Sequence, residues 1–298
     1  MATSPPDCDK AVFRFAPSPN GLLHLGHALS ALTNERFASL FEGRLLLRIE
    51  DIDLSRCKPA FEQAMRDDLD WLGLHFASEV RRQSEHFADY AQALSVLRRR
   101  GLVYPCFCSR QQVRVAVAAE EAQSGRPWPV DPDGAPLYPG LCRELDPSEA
   151  ERRVAAGEPH VLRLDMKRAQ ALAGAAVGYR VFDDSGEERQ IPARPERWGD
   201  VVLARKDVPT SYHLSVVVDD ALQGVTHVVR GRDLEAATDI HVVLQRLLGL
   251  PSPAYHFHPL LIDETGQKLA KSRSSESLAD LRARGITAAA IRAQLGFA

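Results

Sequence analysis

A short apolar run, ended by two prolines and a glycine and followed at once by a helical repeat, is the feature that most restricts this chain. Residues 12–16 are β-rich, and Pro17, Pro19 and Gly21 end them, because proline lacks the N–H that a strand must donate. Over 27–41, Leu29, Leu32, Leu40 and Phe41 fit a helix that stops before Gly43. Residues 45–49 read as a buried strand. Beyond Pro59, Phe61, Met65, Leu69 and Leu72 repeat at helical spacing, and Phe87, Tyr90, Leu94 and Leu97 do so before Gly101. Strands joined through helices pair in parallel, so the expectation is an α/β fold with a mostly parallel sheet.

The alternation breaks at Tyr104. As far as about Pro195 the chain carries cysteines, a Pro/Gly-rich loop over 126–140 and two short amphipathic stretches, which read as an irregular insertion. Strands are expected again at 201–203, 214–218 and 225–229. A helix over 234–248 stops at Gly249 and Pro251, a strand spans 255–262, a turn 263–266, and the remainder is helical. With 298 residues, 45% of them hydrophobic, the chain can bury a core without disulfides. Its 37 Lys and Arg stand against 40 Asp and Glu, so any contact with RNA has to be local rather than through a general basic field. Five cysteines are an odd count, and residues 1–10 lack the apolar core of a secretion signal. No apolar run reaches the roughly 18 residues of a membrane span. A cytoplasmic monomer with no membrane partner is expected.

Two motifs carry chemistry. His24-Leu25-Gly26-His27 follows a strand and opens a helix, whose N-terminal N–H groups favour phosphate. Gly26 lets a flat base or ribose lie against the backbone, and two imidazoles can donate to phosphate oxygens. Alone, the four residues fit a pair of capping histidines equally well. Lys268-Leu269-Ala270-Lys271-Ser272 supplies two ammonium groups that can clamp a triphosphate, although one such segment is commonly a solvated basic loop. A third cluster, Cys106, Cys108 and Cys142, brings two close thiols and one returning from a long loop, which suits zinc or three reduced buried cysteines.

In this order the motifs resemble the HIGH and KMSKS signatures of class I aminoacyl-tRNA synthetases, and within them the glutamyl/glutaminyl group. Arg14 to Gly21 (RFAPSPNG), Arg48 to Asp53 (RIEDID), Tyr212-His213-Leu214 with Val218-Asp219-Asp220, and His227 to Gly231 (HVVRG) match that group's pattern. Asn20 stands where Thr is usual and Ala270 where Ser is usual. The resemblance implies a Rossmann-type catalytic domain in two halves, 10–104 and 196–266. A zinc-containing insertion at 105–195 divides them, and 267–298 form the KMSKS-type loop and short C-terminal helices. Glutamyl-tRNA synthetases continue past that loop into an anticodon-binding domain, whereas here 26 residues follow Ser272. In that respect the chain is similar to the glutamyl-queuosine tRNA(Asp) synthetases.

The resemblance assigns ATP, with Mg²⁺, to His24, Gly26, His27, Lys268, Lys271 and Ser272, with the two histidines and two lysines catalytic. It assigns L-glutamate to Arg14, Phe15, Ala16, Pro17, Ser18, Glu50, Tyr212 and Arg230. These residue types suit that ligand, since arginines take carboxylates and a glutamate takes the ammonium. The alternative is that Arg48–Glu50–Asp51 and Arg230–Asp233 are structural ion pairs. One structural Zn²⁺ on Cys106, Cys108, Tyr138 and Cys142 is implied by the same family. The implied acceptor is the queuosine base of tRNA(Asp). The rival readings are a truncated enzyme charging the 3′ end of tRNA(Glu) and a catalytically silent RNA-binding module.

Overall fold

The structure is a computed structural model that describes residues 10–77, 80–174, 176–262 and 276–297. Strand β1 (Val12–Phe15) is buried along its length. Helix α1 (Leu25–Leu40) carries the chain to β2 (Arg44–Ile49), which runs parallel to β1 with Val12 beside Arg44 and Phe15 beside Leu47. Helix α2 (Pro59–Trp71), with proline in its first turn, buries Met65 and Leu69 and leads to the two-residue β3 (Arg81–Arg82), parallel to β2. Helix α3 (Phe87–Arg99) buries Tyr90, Leu94 and Leu97, the residues whose spacing marked it.

Next come β4 (Val103–Cys106), α4 (Arg110–Ser124), α5 (Pro147–Ala155) and β5 (Val161–Leu164), with β4 and β5 antiparallel. Helix α6 (Met166–Ala173) precedes the antiparallel hairpin of β6 (Gly178–Phe182) and β7 (Glu188–Pro192). Strand β8 (Val202–Ala204) joins β5. The chain continues through α7 (Tyr212–Leu222), β9 (His227–Gly231), α8 (Thr238–Leu248), β10 (Ala254–His258), α9 (Leu278–Ala283) and α10 (Ala288–Gln294).

Three strands in the order β1-β2-β3 form one parallel ladder, and β9, β10 and β6 form another with β7 antiparallel at its edge. Between the ladders, Thr226 donates its N–H to Val12 O at 3.0 Å, and Val12 N–H donates to Thr226 Oγ1 at 2.8 Å. Asn34 on α1 donates to Val229 O at 3.2 Å, closing the same seam. Strands β1, β2, β9 and β10 therefore end on one side, where open α/β sheets hold their ligands.

Four expectations change. Residues 214–218 lie inside α7, not in a strand. Ser211 Oγ accepts the Leu214 N–H at 3.4 Å as the cap, and Leu214 to Asp220 are all buried, so no polar stripe reveals the helical period. The stretch 105–195 is also more ordered than its composition suggests, because β6 and β7 extend the main sheet beside β10. The strand expected over 255–262 ends at His258, and α8 begins at Thr238 after a 3₁₀ turn over Arg232–Leu234. Among the described residues no helix is long and apolar enough to cross a membrane.

Candidate active site

A cleft of ≈ 550 Å³ opens where β1, β2, β9 and β10 end and α1 begins. Arg14 to Ser18, His24, Gly26, His27, Glu50, Tyr212 and Arg230 all lie on its walls, so eleven of the residues singled out in the sequence converge. Lys268, Lys271 and Ser272 lie outside the described residues. On either side of them, Leu261 lines the cleft and Ser277 bridges to His24.

The two histidines cap α1 reciprocally. His24 Nδ1 accepts the Gly26 N–H at 3.0 Å, and His27 Nδ1 accepts the His24 N–H at 3.1 Å. Each Nδ1 is thus an acceptor, which leaves the ring proton of each neutral imidazole on Nε2. Capping and donating are therefore compatible roles for one pair. Gly26 has a local reason to be glycine, since a Cβ there would meet His24 Cε1 at 2.9 Å and push the ring off its cap.

Behind the cleft sits a buried charge cluster. Asp220 Oδ1 accepts from Arg14 Nε at 3.1 Å and from Arg48 Nη2 at 2.6 Å. Burial raises the Asp220 pKa, but the two guanidiniums outweigh it and hold the group below the usual carboxylate range. Arg48 is wholly buried, and its Nε lies 3.4 Å from Glu50 Oε1, near enough for attraction but not aligned as a hydrogen bond. Burial pushes Glu50 up to about 7, against the pull of Arg48 and Arg14. Asp51 turns away to Arg82 and Ser84.

Arg230 differs in kind. Among the described residues no carboxylate lies within ion-pair distance of it, Asp233 included. Its Nη1 reaches Tyr212 Oη at 3.4 Å and His241 Nδ1 at 3.2 Å, and its Nη2 donates to Thr238 Oγ1 at 2.7 Å. Its Nε is buried without a partner. The ion-pair alternative therefore holds for Arg48 and fails for Arg230. Arg14 and Arg48 share Asp220, whereas Arg230 has no carboxylate partner among the described residues, and Asp233 lines the cleft beyond ion-pair distance of it. Asp220 stands in a quoted motif without a role, and Thr238 and His241 fall within the helix expected over 234–248. Polar residues recurring in that apolar stretch were the available signal.

Away from the cleft, the sulfurs of Cys106, Cys108 and Cys142 lie within 4.8 Å of one another. Tyr138 Oη is 3.2 Å from Cys106 Sγ and 3.6 Å from Cys108 Sγ, and Cys108 Sγ is 3.4 Å from Cys142 Sγ. Ligands at Zn–S and Zn–O bond lengths around a tetrahedral ion stand about 3.5–3.8 Å apart, so these four groups fit one. The Cys142 N–H donates to Tyr138 Oη at 2.8 Å, while burial and the neighbouring sulfurs push the Tyr138 hydroxyl well above the usual tyrosine range. The guanidinium of Arg163 lies 3.9 Å from the Tyr138 ring centre and adds positive charge beside the sulfur cluster.

In comparison with known proteins, residues 10–296 match the family described as tRNA synthetases class I (E and Q), catalytic domain. The sequence is 46% identical to the Glutamyl-Q tRNA(Asp) synthetase of Rhodobacter capsulatus, over 96% of this chain and 99% of that protein. It is 39% identical to the protein of the same name from Symbiobacterium thermophilum, over 95% of this chain and 85% of that one. The fold is similar to the crystal structure of a glutamate tRNA ligase from Elizabethkingia meningosepticum in complex with its amino acid. There the TM-score is 0.71 and the identity 26%, over 89% of this chain and 52% of the other, so this chain spans about half of that length.

Proposed function

This chain belongs to the class I tRNA synthetases of the E and Q group, and we propose that it is an ATP-dependent ligase for L-glutamate. It forms glutamyl-adenylate and transfers the glutamyl group to the queuosine base in the anticodon loop of tRNA(Asp), in the cytoplasm. The observation that carries the amino-acid choice is Arg230, a buried guanidinium with no carboxylate partner among the described residues. Glutamate brings two carboxylates and one ammonium, and its second carboxylate supplies the anion that Arg230 lacks. The near full-length match to a protein named for the acceptor favours queuosine over the 3′ end of tRNA(Glu).

Arg230, with an unpartnered Nε and the Tyr212 hydroxyl beside it, binds one carboxylate; Arg14 binds the other. Glu50 holds the ammonium, and the strip Phe15 to Ser18 walls the pocket. A carboxylate oxygen of glutamate attacks the α-phosphorus of ATP, the bond to the bridging oxygen breaks, and pyrophosphate leaves. Negative charge that builds on the phosphates meets the Nε2–H groups of His24 and His27, and Lys268, Lys271 and Ser272 take the remainder of the triphosphate. Mg²⁺ arrives with ATP and neutralises part of the phosphate charge. A hydroxyl of the queuosine cyclopentenediol then attacks the glutamyl carbonyl carbon and AMP departs. No enzyme acyl intermediate is required, so the work is positioning and electrostatics.

Cys106, Cys108, Tyr138 and Cys142 hold one structural Zn²⁺ in this reading. Bound there, the ion would be held by residues from the end of β4 and from the loop before α5 and would tie the two together. Purified protein should carry about one zinc per chain by elemental analysis, and Cys142→Ser should lose most of it. Metal-free protein with undiminished protease resistance in 105–145 would refute this.

Glu50 also makes glutamate binding pH-dependent. Its pKa in the empty site is raised to about 7, so below that it carries a proton that must leave when the ammonium binds. Glutamate affinity should therefore rise with pH to about 7, by at most roughly tenfold per unit, and level off above it. Titration calorimetry from pH 5.5 to 8 reads this, and Glu50→Gln should bind weakly with a flat profile. A flat profile in the native protein contradicts the ammonium-anchor role.

The acceptor is tested with labelled glutamate, ATP and tRNA(Asp) from cells that can or cannot make queuosine. Label should appear only on the modified tRNA and should release in mild alkali, as an ester does. Equal labelling of both preparations, or labelling of tRNA(Glu) instead, returns the enzyme to charging a 3′ end.

A further inference from the structure

Among the described residues, Arg230 is held by neutral acceptors only. A guanidinium cannot accept a hydrogen bond, so His241 Nδ1, 3.2 Å from Arg230 Nη1, supplies a lone pair and the imidazole proton sits on Nε2. That Nε2 is 3.2 Å from His213 Nδ1, which must then accept in turn. The direction of the chain is fixed: Arg230 to His241 to His213. Burial, and next the positive charge of Arg230, keep both imidazoles unprotonated, with His213 lowered to about 4. Thr238 Oγ1 takes Nη2 at 2.7 Å, and the guanidinium carbon lies 5.3 Å from the Tyr255 ring centre.

We propose that His241, steadied by His213, is a positioning residue that aims Arg230 at the substrate carboxylate without neutralising it. The inference rests on the glutamate pocket proposed above. Its logic is electrostatic. A buried arginine is usually held by Asp or Glu, as Arg48 and Arg14 are held by Asp220. A carboxylate in place of His241 would hold the guanidinium as firmly but would compete for the charge meant for the ligand. It would also neutralise the guanidinium whose unpaired charge favours glutamate over glutamine. An imidazole acceptor supplies the geometry and leaves the charge unspent.

Two isosteric substitutions separate charge from shape. In His241→Asn the amide oxygen can stand where Nδ1 stood, and His241→Asp has the same outline with a negative charge. Glutamate-dependent ATP–pyrophosphate exchange, glutamine exchange and glutamate-induced thermal shift are measured for both variants and the native protein. His241→Asn should keep the glutamate KM within about threefold. His241→Asp should raise it at least about tenfold, with a smaller change in kcat and a fall in the glutamate-to-glutamine preference. If both variants bind glutamate alike, or if His241→Asn loses as much as His241→Asp while both stay folded by circular dichroism, His241 has only a packing role. If the native protein shows neither exchange nor thermal shift with glutamate, the pocket assignment itself fails, and this proposal with it.

Discussion

The structure depends on one carboxylate shared by two arginines. Asp220, on α7, joins Arg14 of β1 to Arg48 of β2, and all three side chains are buried. Removing one partner from such a cluster leaves uncompensated buried charge, typically at a cost of about 3–5 kcal/mol, so the three residues specify one another. The same contact ties the ends of β1 and β2 to the last turn of α7. Tyr212 opens α7 at the cleft, and Arg14 borders the cleft at the end of β1. Asp220 engages two arginines deep in the sheet, whereas Arg230, at the ligand's edge, has no carboxylate partner among the described residues.

The cysteine cluster is tied to this frame through Asp200. Its Oδ2 accepts from Arg143 Nε at 2.7 Å, next to Cys142, and from the hydroxyl of Tyr104 on β4. Its Oδ1 accepts the Met166 N–H at 3.0 Å, and its backbone oxygen accepts from Arg163 at 2.7 Å. Arg163 in turn stacks on Tyr138, so one aspartate connects the start of α6 with both arms of the proposed zinc knuckle. A metal there would brace this element rather than take part at the cleft.

The sequence was most readable where a single physical rule decides the outcome. Prolines ended β1, helical spacing marked α2 and α3, and the HLGH and arginine motifs converged on one cleft. It was least readable where burial is complete. The stretch 214–218 read as a strand because a helix enclosed on all sides shows no polar stripe. Strand β7 was hidden because five mostly polar residues at a sheet edge carry little pattern, and β6, also five residues long, lies in the same stretch. The roles of Thr238, His241 and Asp220 depend on contacts between residues far apart in sequence, which spacing cannot reveal. Gly26 was placed for a ligand, and the structure adds a nearer reason in the ring of His24.

The central claim is that a buried guanidinium without a carboxylate partner selects an amino acid that brings a second carboxylate. The most direct measurement compares glutamate and glutamine in ATP–pyrophosphate exchange under identical conditions. Glutamine replaces a charged hydrogen-bonding partner by a neutral one, a loss of roughly 1.5–3 kcal/mol for each charged hydrogen bond. That predicts a kcat/KM for glutamate about ten to a hundred times that for glutamine or more. Comparable values for the two amino acids would contradict the account.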